Sequence, residues 1–255
     1  LAVFTAAEKC RKCYSCVRTC PTKAIEVHGG QAEIIASKCI SCGYCVPMCS
    51  QGAKQIRSSV AAVRDLLRSG RRCCAMLAPS FPAAFLEVDP LQVVGAAAAC
   101  GFDKVYEVAF GADLVSYEYR LLYQRLVAGA DGGPRGARRS RPPFQISSPC
   151  PAVVSYVEKI CPELVPHLAQ VVSPMEAMAR VIRERLVRPA DPQPAIVFIG
   201  PCVAKKDEAG RLGLVDEVLT YEELADLIGE LGIDLQAVPT RDFDPPQANL
   251  GMIYP

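Results

Sequence analysis

Eight of the fourteen cysteines in this 255-residue chain fall between Cys10 and Cys49, in two runs of the form CxxCxxCxxxC. The first run is Cys10, Cys13, Cys16 and Cys20, closed by Pro21; the second, Cys39, Cys42, Cys45 and Cys49, closed by Ser50, repeats the spacing 29 residues on. A cubane cluster needs thiolates at several corners, and a short loop with a cysteine at every third position wraps three of them. The fourth must come from elsewhere, and in a two-cluster arrangement it comes from the other run. The spacing therefore predicts one 4Fe-4S cluster on Cys10, Cys13, Cys16 and Cys49 and a second on Cys39, Cys42, Cys45 and Cys20. The competing explanations are weaker. A disulfide scaffold needs an oxidising compartment that nothing in the sequence indicates, and zinc favours separated CxxC pairs over triplets.

Between the runs, AIEVHGGQAEII alternates about Gly29-Gly30 and reads as a β-hairpin, with His28 a solvated turn residue and not a ligand. This stretch resembles the bacterial two-cluster ferredoxins, which implies an α+β ferredoxin-like domain over residues 1–57. The remaining composition, 51% hydrophobic and 22% charged, is that of an ordinary folded protein. A net charge of +1 gives no argument for a nucleic-acid partner. The longest apolar stretches, such as Val93 to Cys100, fall well short of the roughly 20 residues needed to cross a bilayer, so no membrane span is expected. The opening LAVFTAAEKC has no basic n-region or long apolar h-region, so no signal peptide is expected. Leu1 in place of Met suggests a trimmed or partial chain. Thiolate-bound clusters suit a reducing cytoplasm, the expected location.

From Ser58 the cysteine density drops and helix and strand signals alternate, predicting an α/β domain over residues 58–255, with a first lobe to about 130, a linker at about 131–143 and part of a second lobe. Helices are expected from SSVAAVRDLLRSG, LQVVGAAAACG, ADLVSYEYRLLYQRLVA, the segment from Pro151, Pro174 to Val187, and TYEELADLIGEL, whose Thr220 and Glu223 form a capping box and whose Leu224, Leu227, Ile228 and Leu231 form the buried stripe. CCAMLAP, KVYEVAF, FQISS and AIVFIG are expected strands. The Arg-, Gly- and Pro-rich segment from Asp131 to Pro143 reads as a solvated linker. Three loops each follow an expected strand and lead toward a helix: APSFP ending at Pro82, SSPCP ending at Pro151, and GPCVAKK ending at Lys206. Ligands collect where such loops converge at the carboxyl ends of parallel strands, so Cys150, Cys202 and Lys205 are candidates for one site. Two cysteines cannot close a cubane, and singly each is explained as well by packing or by an ordinary helix surface.

In this order after a two-cluster ferredoxin, GFDKVYEVAFGADL, SSPCPAVVSYVEK, VVSPMEAMA, GPCVAKKDEA and VDEVLTYEEL resemble the FeFe (iron-only) hydrogenase large subunit over essentially the whole chain. The resemblance implies an H-cluster, a 4Fe-4S cubane bridged to a di-iron centre, at which hydrogen is interconverted with protons and electrons. It implies that Cys150 and Cys202 are two of the cubane's ligands and that Lys205, and Ser80 beside Pro79, donate hydrogen bonds to its cyanides. The family's two further ligands belong to a later motif like ACPGGC, which these residues do not contain; an incomplete chain is expected. Active members usually read TSCCP in the first loop, where this sequence has Pro149 in place of the proton-relaying Cys. Glu118 matches one relay carboxylate, Leu121 stands where a second would be, and Ala169 about where a relay Ser would be. The expectation is a slow hydrogenase fed by a ferredoxin or another electron-transfer subunit, with a hydrogen sensor or an iron–sulfur assembly factor as the alternatives. Cys73, Cys74, Cys100 and Cys161 and the tyrosines Tyr117, Tyr119 and Tyr123 are expected to pack, Met175 is explained equally by the resemblance, as a neighbour of the di-iron pocket, and by packing at a helix start, and His167 has no partner at ligand spacing.

Overall fold

The structure, a computed structural model, describes residues 1–131, 144–188 and 190–249. At the amino end come a strand β1 (Val3–Thr5), a short helix α1 (Ser15–Thr19), the strands β2 (Ile25–His28) and β3 (Gln31–Ile34), and β4 (Lys54–Ile56). β2 and β3 form the expected hairpin, Ile25 opposite Ile34 and His28 opposite Gln31. Gly29 and Gly30 both take positive φ, 54° and 80°, as a two-residue hairpin turn demands. β1 pairs with β4, Val3 opposite Ile56; strands of three residues are too short for alternation to reveal them.

The duplication is written into the backbone as well as the cysteines. Lys12 and Ser41 (φ 58° and 52°), Tyr14 and Gly43 (59° and 75°), and Lys23 and Gly52 (51° and 61°) are matching positions of the two runs, and all six residues are left-handed. A non-glycine residue in that region is strained by about 1 kcal/mol or more. Its recurrence at one offset shows that the two runs follow the same loop path.

The remaining elements are α2 (Val60–Arg68), β5 (Cys73–Leu77), α3 (Pro90–Ala99), β6 (Lys104–Glu107), α4 (Val108–Asp131), α5 (Pro151–Ile160), α6 (Pro174–Val181), β7 (Ala195–Ile199), α7 (Ala204–Leu212), β8 (Glu217–Leu219) and α8 (Tyr221–Glu230). Four strands form one parallel sheet in the order β6-β5-β7-β8. The unbroken apolar runs CCAML and AIVFI are its two central strands and are buried at every position, as strands covered on both faces must be. The capping box of Thr220 and Glu223 forms at α8, and Asp89 with Gln92 makes a second at α3.

Four local expectations are corrected. The strand expected over KVYEVAF ends at Glu107 and α4 starts at once, because Val108, Ala112 and Val115 are buried at helical spacing. FQISS makes a single bridge, Ile146 to Leu168; the Ser148 N–H is taken by the Tyr119 hydroxyl at 2.7 Å, which removes it from any ladder. The helix expected from Pro174 to Val187 is regular only to Val181 and widens into a π-helical turn, Ile182–Leu186. Leu231 is 39% exposed because it caps α8 and does not lie on its buried stripe. The expected linker falls, from residue 132, outside the described residues.

α4 and α6 cross where Gly111 faces Pro174. A Cβ there would stand 2.4 Å from the Pro174 carbonyl oxygen and 3.1 Å from the Met178 backbone nitrogen. Neither is a flexible side chain that can move aside. Gly111→Ala is expected to cost about 2–3 kcal/mol, lowering Tm by roughly 5–10 °C in a thermal melt. A shift within one degree would mean that the helices are not in contact at this point.

Candidate functional site

The eight N-terminal cysteines fall into two nests. Cys10, Cys13, Cys16 and Cys49 line one cavity together with Thr5, Tyr14 and Lys54. Cys20, Cys39, Cys42 and Cys45 line the other. The last cysteine of each run therefore sits with the first three of the opposite run. Each of these crossed cysteines accepts a backbone N–H four residues on, Ala24 N–H to Cys20 Sγ and Ala53 N–H to Cys49 Sγ, both at 3.3 Å. At Cys49 partial burial pushes the thiol pKa up, but the backbone N–H groups of Lys54, Ala53 and Gln51 bring it below the ordinary value. At Cys45 burial prevails and the thiol is pushed up to about 11, so that thiol favours deprotonation only when a cation takes its charge. All fourteen cysteines are free of disulfides. No three Cys, His, Asp or Glu side chains among the described residues converge on a point closely enough for one metal ion. Each nest instead spreads four sulfurs around a cavity, one of them accepting a backbone N–H, and this donor set fits an iron–sulfur cubane.

The carboxyl edge of the parallel sheet carries the other candidates. β5 lies between β6 and β7, so the loops after β5 and β7 flank the point where strand order reverses, the place where open α/β sheets bind ligands. They lie against each other: Ala78 N–H donates to Ile199 O at 2.9 Å, and a Cβ on Gly200 would meet Ala78 Cβ at 3.0 Å. In the first loop Pro79 is half-buried and Ser80 exposed. Ser80 Oγ lies 2.8 Å from the Tyr221 hydroxyl, which donates to Ala78 O at 3.0 Å. In the second, Cys202 precedes α7 and Lys205 lies in its first turn, 8% exposed. Lys205 Nζ donates to Glu208 Oε2 at 2.6 Å and to the Pro149 carbonyl at 3.3 Å.

That second bond joins the Cys202 loop to the Cys150 loop. Cys150 is the exposed N-cap of α5. Burial pushes the Cys202 thiol up, the Ala204 and Lys205 N–H groups and the Lys205 charge pull it down, and the nearby Cys150 thiol pushes it up again. Pro149, Cys150, Cys202 and Lys205 thus share one locality. A cavity of about 440 Å³ lies beside them, lined by Ser148, Ala169, Ser173, Glu176 and Glu208 among others.

Glu118 lies elsewhere. It is on the exposed side of α4, because one residue along a helix turns a side chain through about a quarter of the circumference. The neighbouring Tyr119 faces the first loop, its hydroxyl accepting the Ser148 N–H at 2.7 Å and lying 3.0 Å from Ser148 Oγ. Ser148 Oγ in turn donates to Val171 O at 2.6 Å. Leu121 is half-buried and Ala169 buried at the cavity wall. Tyr117 and Tyr123 are exposed, at 55% and 67%, and do not pack, whereas Met175 is fully buried. Cys73, Cys74 and Cys100 are buried and Cys161 half-buried. His167 stacks on Phe144 with its Nδ1 3.2 Å from Phe144 O, and His28 is exposed in the hairpin. Tyr119, Glu208 and Lys54 are site neighbours that the motifs did not single out. Only Lys54 had a sequence signal, since its repeat mate 29 residues earlier is Ile25.

The second nest abuts the Cys202 loop. A Cβ on Gly43 would touch Val203 Cγ2 at 3.3 Å. The Ser41 hydroxyl bonds to Asp207, and Lys159 Nζ of α5 donates to the Cys39 carbonyl at 2.5 Å. The cavity of the first nest, on Cys10, Cys13, Cys16 and Cys49, is lined by no residue of α5 or α7.

Comparison with known proteins gives a consistent picture. The family of the iron-only hydrogenase large subunit, C-terminal domain, matches residues 71–254, and a 4Fe-4S dicluster domain matches residues 2–50. The periplasmic Fe hydrogenase large subunit of Nitratidesulfovibrio vulgaris is 31% identical over 92% of this chain and 59% of its own length. The NADP-reducing hydrogenase subunit HndD of Solidesulfovibrio fructosivorans is 28% identical over 93% of this chain and 38% of its own. A cytosolic Fe-S cluster assembly factor, NAR1 of Kluyveromyces lactis, is 39% identical over a shorter stretch, 38% of this chain and 20% of its own length. The chain therefore spans less than two thirds of these relatives. A solved FeFe hydrogenase from work on oxygen inactivation of the H-cluster superposes with a TM-score of 0.62 at 26% identity, over 74% of this chain and 51% of that one. No helix among the described residues is long and apolar enough to cross a membrane.

Proposed function

The chain belongs to the family of iron-only hydrogenase large subunits, and we propose that it is an iron–sulfur oxidoreductase interconverting hydrogen with protons and electrons, slowly, at the Cys150–Cys202 site. Cys10, Cys13, Cys16 and Cys49 would hold one 4Fe-4S cluster and Cys39, Cys42, Cys45 and Cys20 a second, in a ferredoxin-like domain over about residues 1–57. The observation that carries the reading is the Lys205 ammonium bonded to the Pro149 carbonyl, which joins two thiol-bearing loops far apart in the chain beside a nest of cluster-type cysteines. Cys150 and Cys202 would supply two of the four thiolates of an H-cluster; a complete one requires two more. When bound, that group supplies the metal centre at which hydrogen is made or split. Lys205 offers it a cation held by Glu208, and Ser80 a hydroxyl oriented by Tyr221. Lys159, on the Cys39 carbonyl, fixes the second nest against α5, so electrons from a carrier such as a ferredoxin would enter at the first nest and leave from the second.

Pro149 supports the slow rate. It has no N–H and no titratable group, and Glu118 is exposed on α4, which supports reading the thiol–carboxylate proton relay of the fast enzymes as lost among the described residues. Slow turnover suits a hydrogen sensor as well, and that remains the companion reading. A second reading, an iron–sulfur assembly factor holding a cubane without di-iron, draws on the NAR1 relatives, whereas the two N-terminal nests favour the oxidoreductase. A cytoplasmic location is proposed with it. The test is a longer form of the protein that supplies the two further cluster thiolates, matured anaerobically with the family's assembly machinery. Infrared bands of metal-bound carbon monoxide and cyanide are expected, with slow hydrogen production that Pro149→Cys accelerates about 10²-fold. A cubane without those bands favours assembly, and fast turnover unchanged by Pro149→Cys contradicts the slow reading.

A further inference from the structure

Lys54 is 2% exposed, an unfavourable place for an ammonium without a counter-charge. The duplication shows how unusual it is, since the matching position in the first run is Ile25, buried at 6%. Lys54 Nζ donates to Thr5 Oγ1 at 2.5 Å and to Ala32 O at 3.0 Å, which satisfies two of its three donors with neutral oxygens. Among the described residues no carboxylate lies within ion-pair distance of it. It lines the first nest directly.

We propose that Lys54 is a built-in cation whose counter-charge is the iron–sulfur cluster of the first nest, a positioning residue that raises the reduction potential of that nest. The proposal rests on the reading of the nests as cluster sites. One electron from a carrier takes a 4Fe-4S core with its four thiolates from a net charge of 2− to 3−; no bond breaks and no proton moves. The added negative charge lies beside Lys54, so the reduced form is the one its field stabilises more. An apolar residue like Ile25 at this position gives no such bias. The consequence is an electron store that fills at a milder potential than the cysteine pattern alone would set.

The test is a redox titration followed by electron paramagnetic resonance on the full chain, reconstituted anaerobically with iron and sulfide. Lys54→Met is expected to weaken reduction at the first nest about tenfold or more, a drop of 59 mV for a one-electron couple, with unchanged iron content. Lys54→Arg, which keeps the charge, stays near wild type. Full iron and unmoved potentials in Lys54→Met overturn the proposal. If Lys54→Met fails to hold iron, Lys54→Arg decides: retained iron and potentials support the charge, and loss there too overturns it in favour of a shape-specific strut. A wild-type chain that takes up no iron sinks the two-cluster reading and this proposal with it, an outcome told apart by iron analysis before any variant is made.

Discussion

Cys49→Ser is expected to abolish the same cluster as Cys10→Ser, Cys13→Ser or Cys16→Ser, and to leave the cluster of its own run, on Cys39, Cys42 and Cys45, intact. The crossing is written in the cavities: Cys49 lines the nest of the first run and Cys20 that of the second. Reconstituted Cys49→Ser should retain about half the iron of the wild type, and the Cys16→Ser/Cys49→Ser double variant should retain no less than either single one. Such non-additivity is the signature of residues acting on one unit. Cys20→Ser should behave like Cys45→Ser. Iron and acid-labile sulfide analysis with electron paramagnetic resonance reads the result directly. Additive loss in Cys16→Ser/Cys49→Ser, with the Cys49→Ser loss equalling that of Cys45→Ser, would place each cluster within a single run and remove the crossed arrangement.

The second large effect concerns the pair beneath Cys202. Lys205 and Glu208 meet at 2.6 Å with each side chain only 10% exposed. Glu208→Ala leaves the ammonium buried with the Pro149 carbonyl as its remaining oxygen partner. Breaking one side of a buried pair typically costs about 3–5 kcal/mol, roughly a 10 °C fall in Tm for a protein of this size. Replacing both members with apolar residues of similar volume should recover most of that loss, because the cost lies in the orphaned charge and not in a missing attraction. A Glu208→Ala melt within a degree or two of wild type would show the pair to be no stronger than a surface one, and Glu208 would not be what holds Lys205 toward the Cys150 loop.

What the sequence makes legible follows from how local each signal is. The hairpin about Gly29-Gly30, the central strands β5 and β7 and the cap of α8 are each specified by a few consecutive residues, and each stands where the sequence places it. Strands β1 and β4 pair across most of the N-terminal region, and nothing within three residues announces a partner so distant. FQISS has strand composition, yet a side chain from α4 claims the Ser148 N–H, a competition invisible along the chain. The same holds at the site. Cys150, Cys202 and Lys205 stand out by motif, whereas Tyr119, Tyr221 and Glu208 matter through what they touch. On α4 the motif singles out Glu118, which is exposed, whereas the contact with the Ser148 loop is made by its neighbour Tyr119, a difference of one residue that only the helix's placement reveals.

The most direct measurement is a reductive titration of the anaerobically reconstituted chain, counting electrons taken up and recording the resonance of the reduced state. Two adjacent nests predict uptake of about two electrons and a broadened signal from two magnetically interacting clusters, which collapses to a simple isolated signal in Cys49→Ser. Uptake of one electron or none, or an isolated signal in the wild type, would contradict the paired-cluster electron path on which the proposed activity depends.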